Sequence, residues 1–301
     1  MKNRYEASPG EQIKGKWTGH VWRVEREIGR GANGIVYLVR GSAGRAALKF
    51  ADSASVASET NALTALERVR GASPGPFFIE ADDLEKEGAV YPFFLMEFID
   101  GPMLHTFIKG KKEEWAIILL IWLLTFLESL HRLGHVMGDL KPENFIVVSQ
   151  KAIRAVDVGG MTKFGRSIKE YTALYDRAAW QAGTRRAEPA YDLFGAAVLT
   201  VSLLHKQAVQ RALGHIDDLK SIVQSSPALQ LIEPVLFNAF AGKYENASAM
   251  KRELLLCFAK TKTKTKTRTR TGRQKRKTFW AGKWFVLAGA LAAILMLFLL
   301  H

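Results

Sequence analysis

The sequence predicts an α+β chain of 301 residues whose last part is set apart from the rest. Residues 21–50 read as strand, glycine turn, strand, turn, strand: VWRVEREIG, RGANG, IVYLVRG, then RAALKF. Helical patterns follow, in ETNALTAL from Glu59 and in the apolar WAIILLIWLLTFL of Trp115 to Leu127. Charge is segregated: 11 of the 43 Lys and Arg lie between Lys260 and Lys283 with no acid among them, leaving 32 against 29 Asp and Glu elsewhere. The basicity is a local device.

The strand and helix elements come first in the chain. Gly29, Gly31 and Gly34 form G-x-G-x-x-G, a spacing that lets backbone amides close over phosphates. A dinucleotide site would need a helix directly afterwards, and the β-branched IVYLV predicts a strand instead. Lys49 closes the third strand, Glu59 opens a helix, and FFLMEFI at 93–99 reads as a buried strand. GDLKPEN then supplies Asp139, Lys141 and Asn144, and RAVDVGG supplies Asp157. Each has an ordinary reading alone, as surface charge or polar turn; their order along the chain gives them meaning. The 13-residue run at Trp115 to Leu127 is short for a membrane span and is expected to be a core helix.

On these residues the chain resembles the Hanks-type serine/threonine protein kinases over roughly residues 20–259, and within them the short, tail-anchored YabT type of endospore-forming bacteria. The resemblance implies a bilobal fold: a β-rich small lobe to about Phe98, a hinge at Glu97 to Gly101 and a helical large lobe, with ATP and Mg2+ between them. It assigns Gly29, Gly31, Asn33, Gly34, Val36, Lys49, Glu59, Glu97 and Phe98 to ATP binding, and Asn144 and Asp157 to the metal. Lys49 would hold phosphates, oriented by Glu59, with Glu67 as the alternative partner. Asp139 would accept or aim the substrate hydroxyl, and Lys141 would stabilise the transferring group.

The departures are informative. Met137-Gly138-Asp139 stands where the family has His-Arg-Asp, so the arginine that would bind an activation-segment phosphate is missing. Asp157-Val158-Gly159 replaces Asp-Phe-Gly, and the Ala-Pro-Glu motif is scrambled at Ala187-Glu188-Pro189. Thr172 resembles the threonine that contacts the catalytic Asp and Lys, and Asp192 the buried Asp that starts the central helix. Two rivals stay open. A small-molecule kinase shares the D-x-x-x-x-N loop but not Lys141, and a pseudokinase scaffold would fit the altered motifs.

Residues 1–19 have no apolar run after their charges, which predicts a flexible N-terminus and no secretory signal. The single cysteine, Cys257, excludes an internal disulfide and fits a reducing compartment. Trp284 to Leu300 is 17 residues without charge or proline, a span of about 25 Å. Trp280 and Trp284 are placed as interfacial aromatics, and the flanking cations put the kinase domain in the cytoplasm of a single-pass membrane protein with nothing beyond but His301. Gly289 and Ala293 have the spacing of a helix-dimer face, which makes a homodimer a candidate assembly.

Residues 260–283 are expected to be an extended tether, since dense like charges repel and nothing apolar is present to bury. Lys260, Lys262, Lys264, Lys266, Arg268, Arg270, Arg273, Lys275, Arg276 and Lys277 exceed what a topology signal needs. Anionic lipid is one polyanion they fit, and non-specific DNA or RNA another. No aromatic interleaves them before Phe279, so base stacking is not indicated. The alternating threonines, Thr261 to Thr271, are hydroxyls beside a kinase domain, and phosphate on them would cancel the tether's charge.

Overall fold

The computed structural model describes residues 5–31, 34–68, 73–149 and 152–268. The chain divides into a compact unit, Met1–Phe258, and a second one from Ala259 onward. Six strands, β1 (Gln12–Lys14), β2 (Val21–Gly31), β3 (Gly34–Gly41), β4 (Gly44–Phe50), β5 (Phe78–Lys86) and β6 (Ala89–Glu97), form an antiparallel sheet in the order β1-β2-β3-β4-β6-β5. Helix α1 (Ser53–Leu66) interrupts it after β4. It starts six residues before the predicted Glu59, because the Asp52 side chain accepts the Ser55 amide as an N-cap at 3.0 Å. Its buried face is Glu59, Ala62, Leu63 and Leu66.

The large lobe is helical: α2 (Leu104–Phe107), α3 (Trp115–Arg132), α4 (Pro189–Arg211), α5 (Ile216–Ser225), α6 (Pro227–Gln230), α7 (Glu233–Phe240) and α8 (Ala247–Arg268). Two small ribbons, β7 (His135–Val136) with β10 (Thr162–Lys163) and β8 (Phe145–Ser149) with β9 (Ala152–Ala155), carry its loops. Helix α3 is the one described helix long and apolar enough to cross a membrane. Its residues from Ala116 to Leu124 are all buried, so it is the core helix that its length predicts. A bilobal α+β fold results.

Two expectations are corrected. From Tyr5 onward the N-terminus is packed, not flexible. Tyr5 is buried against Phe50 and Tyr91, the Ala7 amide donates to the Tyr37 hydroxyl at 3.0 Å, and β1 pairs with β2. Past β1 the chain reaches the sheet's other margin, where the Lys16 amide donates to the Asp83 carbonyl at 2.8 Å. The sheet thus curls until its margins meet. Inside lies a core of its own, including Ile13, Val24, Tyr37, Leu48, Phe50 and Phe93.

The second correction concerns the start of the basic tether, which is helical: α8 runs through Arg268. Once α8 has been nucleated on the large lobe, each added residue needs only one more hydrogen bond. Lysine and threonine oppose that by tenths of a kcal/mol at most. Arg270, Arg273, Lys275, Arg276, Lys277 and the apolar stretch 284–300 lie outside the described residues.

Asp82 locks the curled sheet. It accepts the Trp17 amide (3.0 Å), the Thr18 amide (2.9 Å) and the Thr18 hydroxyl (2.6 Å). Burial alone would raise this carboxyl, but the donors from Thr18, Trp17 and Asp83 outweigh it and hold it down at about 2. Asp82→Ala should therefore lower the unfolding free energy by about 2–3 kcal/mol in urea titrations. The carboxylate's share should be full above its ordinary 3.8 and vanish as pH falls through about 2.

Candidate active site

The site begins with strand alternation. In RAALKF, Ala46, Leu48 and Phe50 join the core inside the curled sheet, so Ala47 and Lys49 take the opposite face, toward the cleft between the lobes. Val36 and Lys49 are cross-strand partners, as are Lys49 and Phe94. Gly34 has φ +154, and a Cβ there would lie 2.2 Å from the Phe50 carbonyl oxygen, so only glycine lets the loop turn so closely over β4. Asn33 lies outside the described residues. The cleft has a volume of about 720 Å³ and brings together Gly29, Gly31, Gly34, Val36, Lys49, Glu97, Phe98, Asp139, Lys141, Asn144 and Asp157.

Lys49 Nζ donates to both oxygens of Glu59 at 2.7 Å and lies 3.9 Å from Asp157. Both partners are 4% exposed. Burial works against the Lys49 charge, yet Asp157 and Glu59 outweigh it and hold its pKa above the ordinary value. Burial pushes the Glu59 carboxyl up to about 7 against the pull of Lys49. The alternative partner, Glu67, instead accepts the Phe78 amide at 3.2 Å.

On the catalytic loop, Asp139 receives the Lys141 ammonium at 2.5 Å and the Thr172 hydroxyl at 2.7 Å, one on each oxygen. Asn144 Nδ2 donates to the Asp139 carbonyl at 2.9 Å, which leaves its Oδ1 as the acceptor for a ligand. Asp157 Oδ1 takes the Gly159 amide at 3.0 Å, leaving Oδ2. Two hard oxygens in one cleft suit Mg2+, which keeps waters and phosphate oxygens for its remaining positions. The loop hangs from Asp192, fully buried at the start of α4, which accepts the Met137 amide (2.8 Å) and Gly138 amide (3.1 Å) and pairs with His131 Nε2 (3.0 Å).

The rewritten motifs now have physical reasons. Gly138 sits at φ +79, and a Cβ there would come within 2.7 Å of the Gly160 carbonyl oxygen. Val158 is buried. Glu188 precedes Pro189 at the first turn of α4 and pairs with Arg177 at 2.7 Å, so the scrambled motif still anchors the segment's end.

Three features escape sequence reasoning. Arg154 forks onto both oxygens of Glu97 at 2.7 and 2.6 Å and also donates to the Gly75 carbonyl, so the Glu97 carboxylate braces the hinge. Asp176, buried, gathers Arg185 and the Tyr191 hydroxyl. Glu170 and Tyr171 line the cleft. Ala47 and Met96 also line the cleft, and for these two strand alternation offers a signal.

A raised carboxyl has a measurable signature. Glu59 should titrate near 7 in side-chain carbon NMR, and well above that in Lys49→Met, where Asp157 remains and the compensating cation is gone. The folded value lies above the ordinary 4.5, so stability from this group should fall as pH rises from 4.5 through about 7.

Comparison with known proteins agrees with this geometry. The family described as "Protein kinase domain" matches residues 22–275. The chain is 43% identical over 251 residues to "Serine/threonine-protein kinase YabT" of Bacillus subtilis (strain 168), covering 82% of this chain and 74% of that protein. It is 24% identical over 180 residues to "Probable serine/threonine-protein kinase PknB" of Lactococcus lactis subsp. lactis (strain IL1403), covering 54% of this chain and 29% of that one. Its fold resembles "Structure of vaccinia related kinase 3", with TM-score 0.63 at 14% identity over 86% of this chain and 93% of that chain. The chain therefore belongs to the protein kinase domain family and is a Hanks-type serine/threonine protein kinase similar to YabT.

Proposed function

We propose that the cleft binds ATP with Mg2+ and transfers phosphate to serine and threonine hydroxyls of proteins, this chain included, at a membrane surface where the basic tether senses a polyanion. The observation that carries the catalytic part is the convergence of Lys141 and Thr172 on Asp139 in the cleft that holds the Lys49–Glu59 pair. Asp139 takes the hydroxyl proton as the oxygen bonds to the γ-phosphorus and the bond to the β–γ bridging oxygen breaks. Lys49 holds phosphate charge, kept in place by Glu59, and Lys141 meets the charge that develops on the transferring group. Mg2+, held by Asn144 and Asp157, would neutralise charge between neighbouring phosphates. The Asp139–Lys141 pairing favours a polypeptide substrate over a small-molecule one, since the latter class shares the Asp and Asn but not the Lys.

The regulatory part rests on the sequence. The stretch 284–300 supplies a single-pass anchor and the cations before it face the cytoplasm. Eleven cations with no intervening acid exceed a topology signal, and DNA is a polyanion that would bind them without regard to sequence. Gly289 and Ala293 support pairing of two anchors, and two copies on one polyanion could phosphorylate each other.

Radiolabelled transfer by the full chain in lipid nanodiscs tests this. Asp139→Asn should reduce transfer by about 10²- to 10⁴-fold. DNA should stimulate the unaltered chain and leave unstimulated one in which Lys262, Lys264, Lys266, Arg268 and Arg270 are glutamine. Stimulation should weaken with salt at a slope near 0.9 per phosphate contact. The rate should also fall as pH drops through about 7, where Glu59 takes a proton and releases Lys49. No transfer under any condition would leave a scaffold, and DNA-independent transfer would leave the tether to topology and lipid.

A further inference from the structure

The segment between Asp157 and α4 has a surface that phosphoryl transfer does not use. It folds back on itself: the Gly165 amide donates to the Ala187 carbonyl and the Ala187 amide to the Arg166 carbonyl, both at 2.8 Å, and the Ile168 amide donates to the Arg185 carbonyl at 2.9 Å. The ribbon is rooted beside the catalytic loop. Lys163 pairs with His135 in the β10–β7 ladder, four residues ahead of Asp139, and Ile168 and Ala187 pack with Val136 and Tyr191.

Its exposed charged side chains are all cationic: Lys163, Arg166, Lys169, Arg185 and Arg186, interspersed with exposed Phe164, Ser167 and Tyr171. Its acids are withdrawn. Asp176 is buried and pairs with Arg185 at 2.7 Å, Glu188 pairs with Arg177 at 2.7 Å, and Glu170 lines the cleft. Among the described residues, Lys163, Arg166 and Arg186 have no carboxylate partner. Arg185 stacks 4.0 Å over the ring of Tyr171, which lines the cleft, so the cationic strip begins at the cleft's mouth. Glu143 on the catalytic loop and Asp100 beyond the hinge, both exposed in the cleft lining, are acids that oppose this field.

We propose that this ribbon reads acidic side chains flanking the acceptor hydroxyl, so that the preferred substrates carry Asp or Glu within a few residues of the target serine or threonine. The proposal rests on the protein kinase reading and adds the substrate class. An extended peptide rises about 3.3 Å per residue. With its hydroxyl at Asp139, carboxylates a few positions away come within reach of guanidinium groups that can bind them bidentately. A consequence bears on the tether. The stretch from Lys260 to Lys277 holds no acid, so its threonines are poor substrates for such a ribbon although they belong to the same chain.

The test uses the full chain in nanodiscs and three single-serine peptides, flanked by aspartate, by glycine and alanine, or by lysine, with self-labelling recorded in the same reactions. The aspartate peptide should exceed the lysine peptide in kcat/KM by about tenfold at low salt, the scale of two or three exposed charge pairs acting together. The gap should narrow as salt is added. In Lys163→Glu/Arg166→Glu/Arg186→Glu the order should invert. Lys163→Gln/Arg186→Gln, a milder change, should shrink the ratio at least threefold if the triple variant does not fold. Equal use of the peptides by the unaltered chain would overturn the proposal, as would an unchanged ratio in a folded variant. Loss of DNA retention by the variants with peptide choice unchanged would overturn it too, marking the ribbon as a nucleic-acid surface. A chain that labels itself without peptide preference refutes only this proposal, whereas one that labels neither itself nor any peptide refutes the kinase reading as well.

Discussion

The buried ion pair of Lys49 and Glu59 is the constraint on which the cleft depends. Withdrawing two charges from water costs several kcal/mol per ion, and only close, two-pronged geometry offsets it. That geometry requires two conditions at once: β4 must present Lys49 inward, and α1 must dock so that Glu59 arrives with Ala62, Leu63 and Leu66 on one face. Apolar burial along this face is what holds the carboxylate where water would otherwise draw it out. A single helix face thus joins the stability of the small lobe to the readiness of its chemistry.

The opposite wall is organised through backbone. Asp192 grips two amides of the catalytic loop, and Gly138 adopts a positive φ that brings it against Gly160. Asp176 and Glu188, with their arginines, fix the segment that follows. The segment is held in this structure by ion pairs between its own side chains.

The chemistry was legible in the sequence where it is local. GDLKPEN puts three site residues within six positions on one loop, and RAALKF shows by alternation which side chain faces the cleft. Glu59 followed from helical spacing with Leu63 and Leu66. What stayed hidden joins distant positions. Arg154 meets Glu97 across 57 residues, and Asp82 receives Trp17 across 65. No period or composition marks such pairs. The N-terminus read as flexible because its apolar residues, Tyr5 and Ile13, are isolated among polar ones, and their burial is decided by a sheet that curls to meet them. Helix α8 outran its expected end because propagation from a packed start tolerates residues that would never nucleate a helix.

The joining of the sheet's margins has a further consequence. A flat sheet offers a row of unpaired amides and carbonyls at each side, and such rows recruit strands from other chains. Here β1 and the Lys16–Asp83 contact cover much of that row, and Lys16, Glu85 and Glu80 place charges along the seam. Strand addition is a poor route onto this lobe, so partners must recognise it by side chains, with Trp17 exposed beside the seam as the largest apolar handle. At high local concentration, a seam without free strands is what keeps crowding from becoming aggregation.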